Sequence, residues 1–404
     1  MKTVAIIAEY NPFHNGHLYQ INKIKEIFSG DTAVIAIMSG NYTQRGEMAF
    51  ADKLIRARCA VDSGIDLVLE LPFPFSISSA EFFAKSGVKI ANSIGIVDYL
   101  AFGCELSNPN ELLSIAKNMS SELYLNELHK LTGDSNYKKI GYPKLCEIAY
   151  CNCFGIIENN IFKPNNILAF EYVKAIISSN SQIKPLPLKR VGAGYNDSFN
   201  ISEEFQNASA IRKLFDIDCN SALKYIPDFT HNHITDAIKN GEIPTNESLM
   251  DRAVISNFRI NPPESVGEIH DAEGGLYNRL YEASYKTNSI SSLTEITETK
   301  KFTKARIRRA IWYSYFGVTS SEVRSSPAYT QVLAMNNIGR YLLKEIKKVS
   351  DFPVITKPSA VNDLEFEVIK QKNLSNMADS VFALARKKPI NAKSSLIFTP
   401  YVKK

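Results

Sequence analysis

The stretch Glu9-Tyr10-Asn11-Pro12-Phe13-His14-Asn15-Gly16-His17 separates two segments of different periodicity. Before it, Thr3-Val4-Ala5-Ile6-Ile7-Ala8 is a short apolar, β-branched run, which predicts a buried parallel strand. After it, Leu18, Ile21, Ile24 and Ile27 recur every three residues, as on one helix face. The Asn-Pro step between them stops the strand. Two histidines therefore flank a glycine at a strand-to-helix turn. A helix N-terminus offers unpaired N–H groups and positive dipole to an anion. Imidazoles add hydrogen bonds to phosphate oxygens. Gly16 removes a side chain where a nucleotide comes close to the backbone. His-x-Gly-His recurs by chance, so its place after the first strand, opening the first helix, is what points to a nucleotide site.

The alternation continues outward from this turn. Strands are predicted at Thr32–Met38, Asp66–Leu71 and Val97–Gly103, with helices at about 52–63 and from Ser79, as N-cap, to about Asn92. This order predicts an α/β fold, a Rossmann-like doubly wound parallel sheet with right-handed crossovers. Ligands of such sheets bind beyond the carboxyl ends of the strands. The turns at His14–His17, Ser39–Gly46 and Gly103–Glu105 all fall on that edge. Residues 106–182 read as mainly helical. Pro185–Val191 reads as a late strand, with Pro187 placing it at an edge. Ala208–Lys213 opens another helix, whose Ser209 and Arg212, three apart, form a second possible anion site.

From about residue 216 the alternation fails. Helical spacing dominates, interrupted by β-like pieces at Tyr329–Met335 and Pro353–Thr356. Two domains are expected: a nucleotide-binding domain over residues 1–215 and an α-rich domain over 216–404. Within the latter, Lys300, Lys301, Lys304, Arg306, Arg308 and Arg309 put six basic residues in ten, with no acid. Phe302, Trp312 and Tyr313 lie in or near this run. A basic helix with aromatics suits backbone contacts and base stacking on RNA, although a solvated basic face has the same pattern. Lys344, Lys347, Lys348, Arg386, Lys387 and Lys388 add charge in the same half.

Composition agrees with a globular protein: 45% hydrophobic, 22% charged and net charge +5 over 404 residues. No secretory signal and no membrane-length apolar run is present, so a cytoplasmic protein with no membrane partner is expected. Six scattered cysteines lack a paired metal-ligand spacing, and no metal site is assigned. No nucleophile elbow, P-loop or dinucleotide fingerprint follows the first strand, which disfavours hydride transfer and P-loop hydrolysis. The histidines with Arg190, Ser209 and Arg212 instead suit nucleotidyl transfer, in which preorganised donors stabilise charge on a leaving pyrophosphate.

The opening stretch resembles that of the bacterial tRNA(Met) cytidine acetate ligases, within the HIGH-motif nucleotidyltransferase superfamily. The similarity continues at Met38–Gly46, Asp66–Pro72, Phe102–Glu105, Pro164–Leu168, Gly192–Tyr195 and Thr303–Arg309, spanning nearly the whole chain. The resemblance implies that ATP and acetate give acetyl-adenylate and pyrophosphate. The acetyl group then passes to N4 of the wobble cytidine 34 of elongator tRNA(Met). It implies ATP contacts from Ile7 through Ala8, Glu9, Tyr10, Asn11, Pro12, Phe13, His14, Asn15, Gly16, His17, Leu18, Tyr19 and Gln20. Further contacts are implied at Gly103, at Asn165 or Asn166 with Asn166 favoured, and at Arg190. His14 and His17 are expected to be catalytic, stabilising phosphate charge. One departure is Asn207-Ala208-Ser209-Ala210-Ile211-Arg212, where relatives tend to carry threonine in a Ser-Ala-Thr-x-Ile-Arg pattern; Ser209 keeps a hydroxyl. Magnesium is expected on the triphosphate on chemical grounds. Two rivals share features of this pattern: a small-molecule adenylyltransferase, and a non-catalytic nucleotide- and RNA-binding protein.

Overall fold

A computed structural model describes residues 1–106, 108–137, 140–155, 161–162, 164–189, 206–361, 363–392, 397 and 399–404. Five parallel strands carry the first half: β1 (Lys2–Ala8), β2 (Thr32–Ser39), β3 (Leu67–Leu71), β4 (Tyr99–Cys104) and β5 (Lys184–Lys189). Their order is β5-β4-β1-β2-β3. The chain steps outward from β1 to β3, then crosses to the other side of β1 for β4 and β5. The order therefore reverses between β1 and β4, and the crevice at such a reversal is the usual ligand site. The loop after β1, which carries the histidines, and the end of β4 at Gly103 and Cys104, with Glu105 beyond it, flank it.

Alternation along the strands builds a core on each face. Ala5, Ile7, Ile35, Ile37 and Leu69 pack with α3 (Ala80–Ser93), α4 (Pro109–Asn118) and α7 (Pro164–Ser178). Val4, Ile6, Val34, Ala36 and Val68 pack with α1 (Asn15–Ile27), α2 (Lys53–Asp62) and α8 (Ala208–Ile217). The sheet is thus doubly wound, as the alternation predicts. Residues 106–182 add α5 (Glu122–Gly133) and α6 (Tyr142–Phe154). Pro185 and Pro187 do sit on an edge strand, paired only with β4 among the described residues. Ser79 is at the N-cap of α3, but its hydroxyl makes no capping bond.

The later half is mostly helical and also adds to the sheet. β6 (Thr330–Met335) runs antiparallel to β3, and β7 (Val354–Ile355) and β8 (Tyr401–Val402) pair with β6. Its helices Asp251–Ile260, Leu276–Ser284, Ile290–Thr297, Lys304–Phe316 and Phe366–Phe382 surround a third core. Tyr42, Met48, Phe73 and Ile77 from the loops after β2 and β3 enter this core and meet Trp312 and Phe316. Among the described residues no helix is long and apolar enough to cross a membrane.

Candidate nucleotide site

The turn after β1 is held by a reciprocal histidine cap. His14 is the N-cap of α1; its Nδ1 accepts from the Gly16 N–H at 3.1 Å, and His17 Nδ1 accepts from the His14 N–H at 3.3 Å. The ring centroids lie 3.8 Å apart. An imidazole nitrogen that accepts carries no proton, so Nε2 is the protonated nitrogen of each neutral ring. Both histidines are thereby held as Nε2–H donors.

This geometry corrects one expectation. The first amides of α1 are not left for an anion. Asn15 N–H donates to Tyr225 O at 2.9 Å, Gly16 N–H to His14 Nδ1, and His17 N–H to His14 O at 2.8 Å. Anion contact here therefore falls to the imidazoles and the helix dipole. The space that Gly16 leaves is filled by the His14 ring: a Cβ at position 16 would stand 2.9 Å from His14 Cε1.

The rest of the stretch supports the rings. Tyr10 is buried at a positive φ of 48° and packs against Phe13 and His17, each at 4.9 Å between centroids. A bulky side chain in the left-handed region is strained and has to be held by its surroundings. Burial pushes the Tyr10 phenol well above the ordinary tyrosine range. Asn11 is buried; its Oδ1 accepts from Phe50 N–H at 2.6 Å and its carbonyl from Arg212 Nη1 at 2.8 Å. Glu9 Oε1 accepts from Gln44 N–H at 2.7 Å. Burial outweighs that bond and the nearby Arg212, so the Glu9 carboxyl is raised above its usual range.

Arg212 reaches the turn from α8, where it bonds Asn11 O and also pairs with Glu47 at 3.0 Å. Ser209 lies 3.4 Å from the Arg212 guanidinium, so the spacing places the two together as expected. Asn207 caps α8 through Ala210 N–H. Asn166, almost fully buried, accepts from Glu105 N–H at 2.8 Å and donates to Ile161 O at 3.0 Å. It thus fixes the loop after β4. Ile7 and Ala8 end β1, Gly103 lies in β4, and Leu18, Tyr19 and Gln20 continue α1. Arg190 and Gly192–Tyr195 lie outside the described residues.

Arg56 holds this edge together and has no signal in the sequence beyond being an arginine in a predicted helix. It is buried, donating to the carbonyls of Glu9 (2.6 Å), Ser39 (3.1 Å), Gly40 and Ala51 (2.8 Å). It ties the ends of β1 and β2. Burial pulls its pKa down to about 10, so it remains a cation at neutral pH.

The basic run sits against the same edge. Gly46, at φ 77°, leaves no room for a Cβ, which would stand 2.5 Å from Arg309 N. The turn after β2 thus abuts the Lys304–Phe316 helix directly. Much of the run's charge is paired within the fold. Arg309 is buried against Asp271 at 2.6 Å, Arg306 bonds Asp271 O at 2.9 Å, and Arg308 pairs with Glu247. Lys304 lies 3.5 Å from Glu298, and Lys301 donates to Gly274 O at 3.2 Å. Lys300, Lys301 and Lys304 are exposed. The aromatics do not match the stacking expectation: Phe302, Trp312 and Tyr313 are buried in the helical core. Arg386, one of the further cations of the later half, is buried against Asp52 at 2.8 Å. Among the described residues no group of three or more His, Cys, Asp or Glu is placed to hold a metal ion.

A reversal crevice with two imidazoles at its mouth is the plan of a nucleotidyltransferase, and the family model described as HIGH Nucleotidyl Transferase matches residues 1–395. More narrowly, the chain belongs to the tRNA(Met) cytidine acetate ligase family. A relative of that name from Thermoanaerobacter sp. is 37% identical, covering 96% of each chain. Another, from Clostridium tetani, is 34% identical over the full length of both. Thermotoga maritima TmcAL bound with alpha-thio ATP superposes with a TM-score of 0.89 at 28% identity, covering 100% of this chain and 99% of that one. The apo form of the same protein gives 0.91 at 29% identity.

Proposed function

We propose that this protein uses ATP to activate acetate and acetylates N4 of the wobble cytidine of elongator tRNA(Met). An acetate oxygen attacks the α-phosphorus, the bond to the β-phosphate oxygen breaks, and acetyl-adenylate and pyrophosphate form. The cytidine N4 then attacks the acetyl carbon, AMP leaves, and N4 loses a proton. Acetate brings its own nucleophilic oxygen, so the protein needs no nucleophile; its tasks are placement and charge stabilisation.

The observation that carries this reading is the paired Nε2–H donors at the reversal crevice, in a chain that covers nearly the whole length of a relative bearing the ligase name. His14 and His17 donate to phosphate oxygens as charge builds on the pyrophosphate. Arg190 and the Ser209–Arg212 pair supply further donors to the triphosphate. Asn166 acts by holding the loop after β4 against the nucleotide. Magnesium enters with the triphosphate as part of the substrate, with no protein ligand assigned. The exposed lysines Lys300, Lys301 and Lys304 serve the tRNA by charge, while Arg306 and Arg309 position the helix that Lys304 opens.

The test is mass analysis of nucleosides from tRNA(Met) incubated with protein, ATP and labelled acetate. Labelled N4-acetylcytidine should form only when all components are present. ATP–pyrophosphate exchange that ignores acetate, or transfer of AMP to a mononucleotide, would replace this reading with the small-molecule adenylyltransferase. Tight tRNA binding without exchange on any carboxylate would make the protein a non-catalytic binder.

A further inference from the structure

A cleft opens between the Arg45–Glu47 turn, the Ile290–Thr297 helix and the first turns of the Lys304–Phe316 helix. It holds about 290 Å³ and is lined by Arg45, Glu47, Ser291, Glu295, Lys304 and Arg308, among others. Nothing in the adenylation step uses it. Three observations give it a role.

First, it shares a wall with the nucleotide site. Glu47 pairs with Arg212 at 3.0 Å, and Arg212 bonds the carbonyl of Asn11 in the histidine turn at 2.8 Å. Second, its chemistry is mixed in a particular way. Arg45, Lys304 and Arg308 offer cations beside the N-terminal, positive end of a 13-residue helix. Glu47 and Glu295 offer carboxylate acceptors. Phosphates suit the first group; an exocyclic amine, such as the N4 of cytosine, suits the second, and a keto oxygen in its place would be repelled. Third, Arg308 is only partly committed: its Nη2 pairs with Glu247, while its Nε has no hydrogen-bond partner among the described residues. The volume lies near the lower end for ligand cavities, roughly 300–1,000 Å³, and suits one nucleoside.

We infer that this cleft receives the acceptor nucleotide of a single-stranded RNA segment, with flanking phosphates on Arg45, Lys304 and Arg308 and the base amine toward Glu47 and Glu295. The inference rests on the RNA-acceptor reading above. Protein recognition of unpaired RNA depends on such splayed bases held by edge contacts. The alternative source of phosphate is the ATP triphosphate itself, and the experiment separates the two.

Lys304→Glu and Ser291→Trp are made singly, the first reversing a charge and the second filling the cleft from an exposed position. Three quantities are measured: the KM for tRNA(Met) in acetylation, the KM for ATP in acetate-driven exchange, and the salt dependence of tRNA binding by fluorescence anisotropy. Each variant should raise the tRNA KM about tenfold or more, with the ATP KM moving less than about twofold. Lys304→Glu should lessen the slope of log affinity against log salt by about 0.7 or more, the share of one phosphate contact on single-stranded RNA. A raised ATP KM with an unchanged tRNA KM would assign the cations to the triphosphate and overturn the inference. So would wild-type tRNA KM and binding in both variants. If the native protein acetylates no tRNA, the function reading fails by itself; the anisotropy arm still decides whether the cleft binds RNA.

Discussion

Gly16→Ala is expected to lower acetate-driven ATP–pyrophosphate exchange about a hundredfold while leaving the melting temperature within about 3 °C of the native value. The added Cβ would stand 2.9 Å from His14 Cε1 and 3.0 Å from His14 Nδ1. Favourable carbon contacts lie at about 3.5–4.0 Å, so the ring must retreat by roughly 0.5–1 Å. That retreat lengthens the Gly16 N–H to Nδ1 bond beyond its present 3.1 Å and separates the ring from His17, now 3.8 Å away between centroids. Losing a cap costs about 1 kcal/mol. Replacing glycine by alanine inside a helix stabilises it by about 1 kcal/mol. The two effects offset each other, and 1 kcal/mol moves Tm by only about 2–4 °C in a domain of some 200 residues. A donor misplaced by about 1 Å costs about 10²-fold in rate. Exchange is assayed beside a thermal melt. Native exchange in the variant would refute the claim that His14 must sit where Gly16 allows it. Loss of exchange together with a drop of about 10 °C would reduce the glycine to a packing requirement.

His17→Ala should abolish exchange while leaving tRNA affinity, by anisotropy, within about twofold; equal loss of both would undo the separation of the two sites. Arg56→Leu should destabilise by about 3–5 kcal/mol, because it leaves four inward carbonyls without their donor; this is read as a melting temperature about 10 °C lower, with Arg56→Lys recovering less than half. For Asp271, burial acts to raise the carboxyl, but Arg309 prevails and holds it below its ordinary 3.8. A depressed native pKa contributes stability that is present above the unfolded value and lost as pH falls through the native one. In melts taken from neutral to acid pH, Arg309→Met should therefore be less stable than the native protein near neutral pH, and the gap should narrow as pH falls through the native Asp271 pKa, because the variant no longer has this acid-labile contribution to lose; a gap that stays constant with pH would count against this pair as a source of pH-dependent stability.

The four early strands are legible because parallel strands buried on both faces are continuous apolar runs. Thr32–Met38 and Asp66–Leu71 are observed as β2 (Thr32–Ser39) and β3 (Leu67–Leu71), within one residue at each end. The histidine turn is legible because its parts are adjacent in the chain. What escapes is whatever depends on distant partners. Counting six cations in ten residues does not reveal that Arg309 meets Asp271 or that Arg308 meets Glu247. Trp312 and Tyr313 read equally as stacking platforms or core, and their contacts with Tyr42 and Phe73, distant in sequence, decide for core. Of the first amides of α1, that of Asn15 is taken by Tyr225, some two hundred residues away.

Those distant partners explain why the turn is no self-contained motif. The loop after β2 must hold Gln44 against Glu9 and present Glu47 to Arg212; its tip is closed by its own bonds, from Thr43 N–H to Glu47 O and from Gly46 N–H to Thr43 O, each at 2.9 Å. Its base is also held from the far end of the chain. Lys53, at the start of α2, is buried between Glu70 of β3 and Asp379 of the Phe366–Phe382 helix, each at 2.6 Å. Asp379 also accepts from Asn41 Nδ2 at 2.9 Å, and Asn41 Oδ1 accepts from Lys53 N–H at 2.8 Å. Although burial opposes its charge, the two carboxylates hold Lys53 protonated. Removing the last helix would take Asp379 from Lys53 and from Asn41, and breaking a buried pair in this way costs about 3–5 kcal/mol. The later half thus supports the edge that carries the histidine turn: it supplies Asp379 beneath the loop on which Glu9 and Arg212 depend.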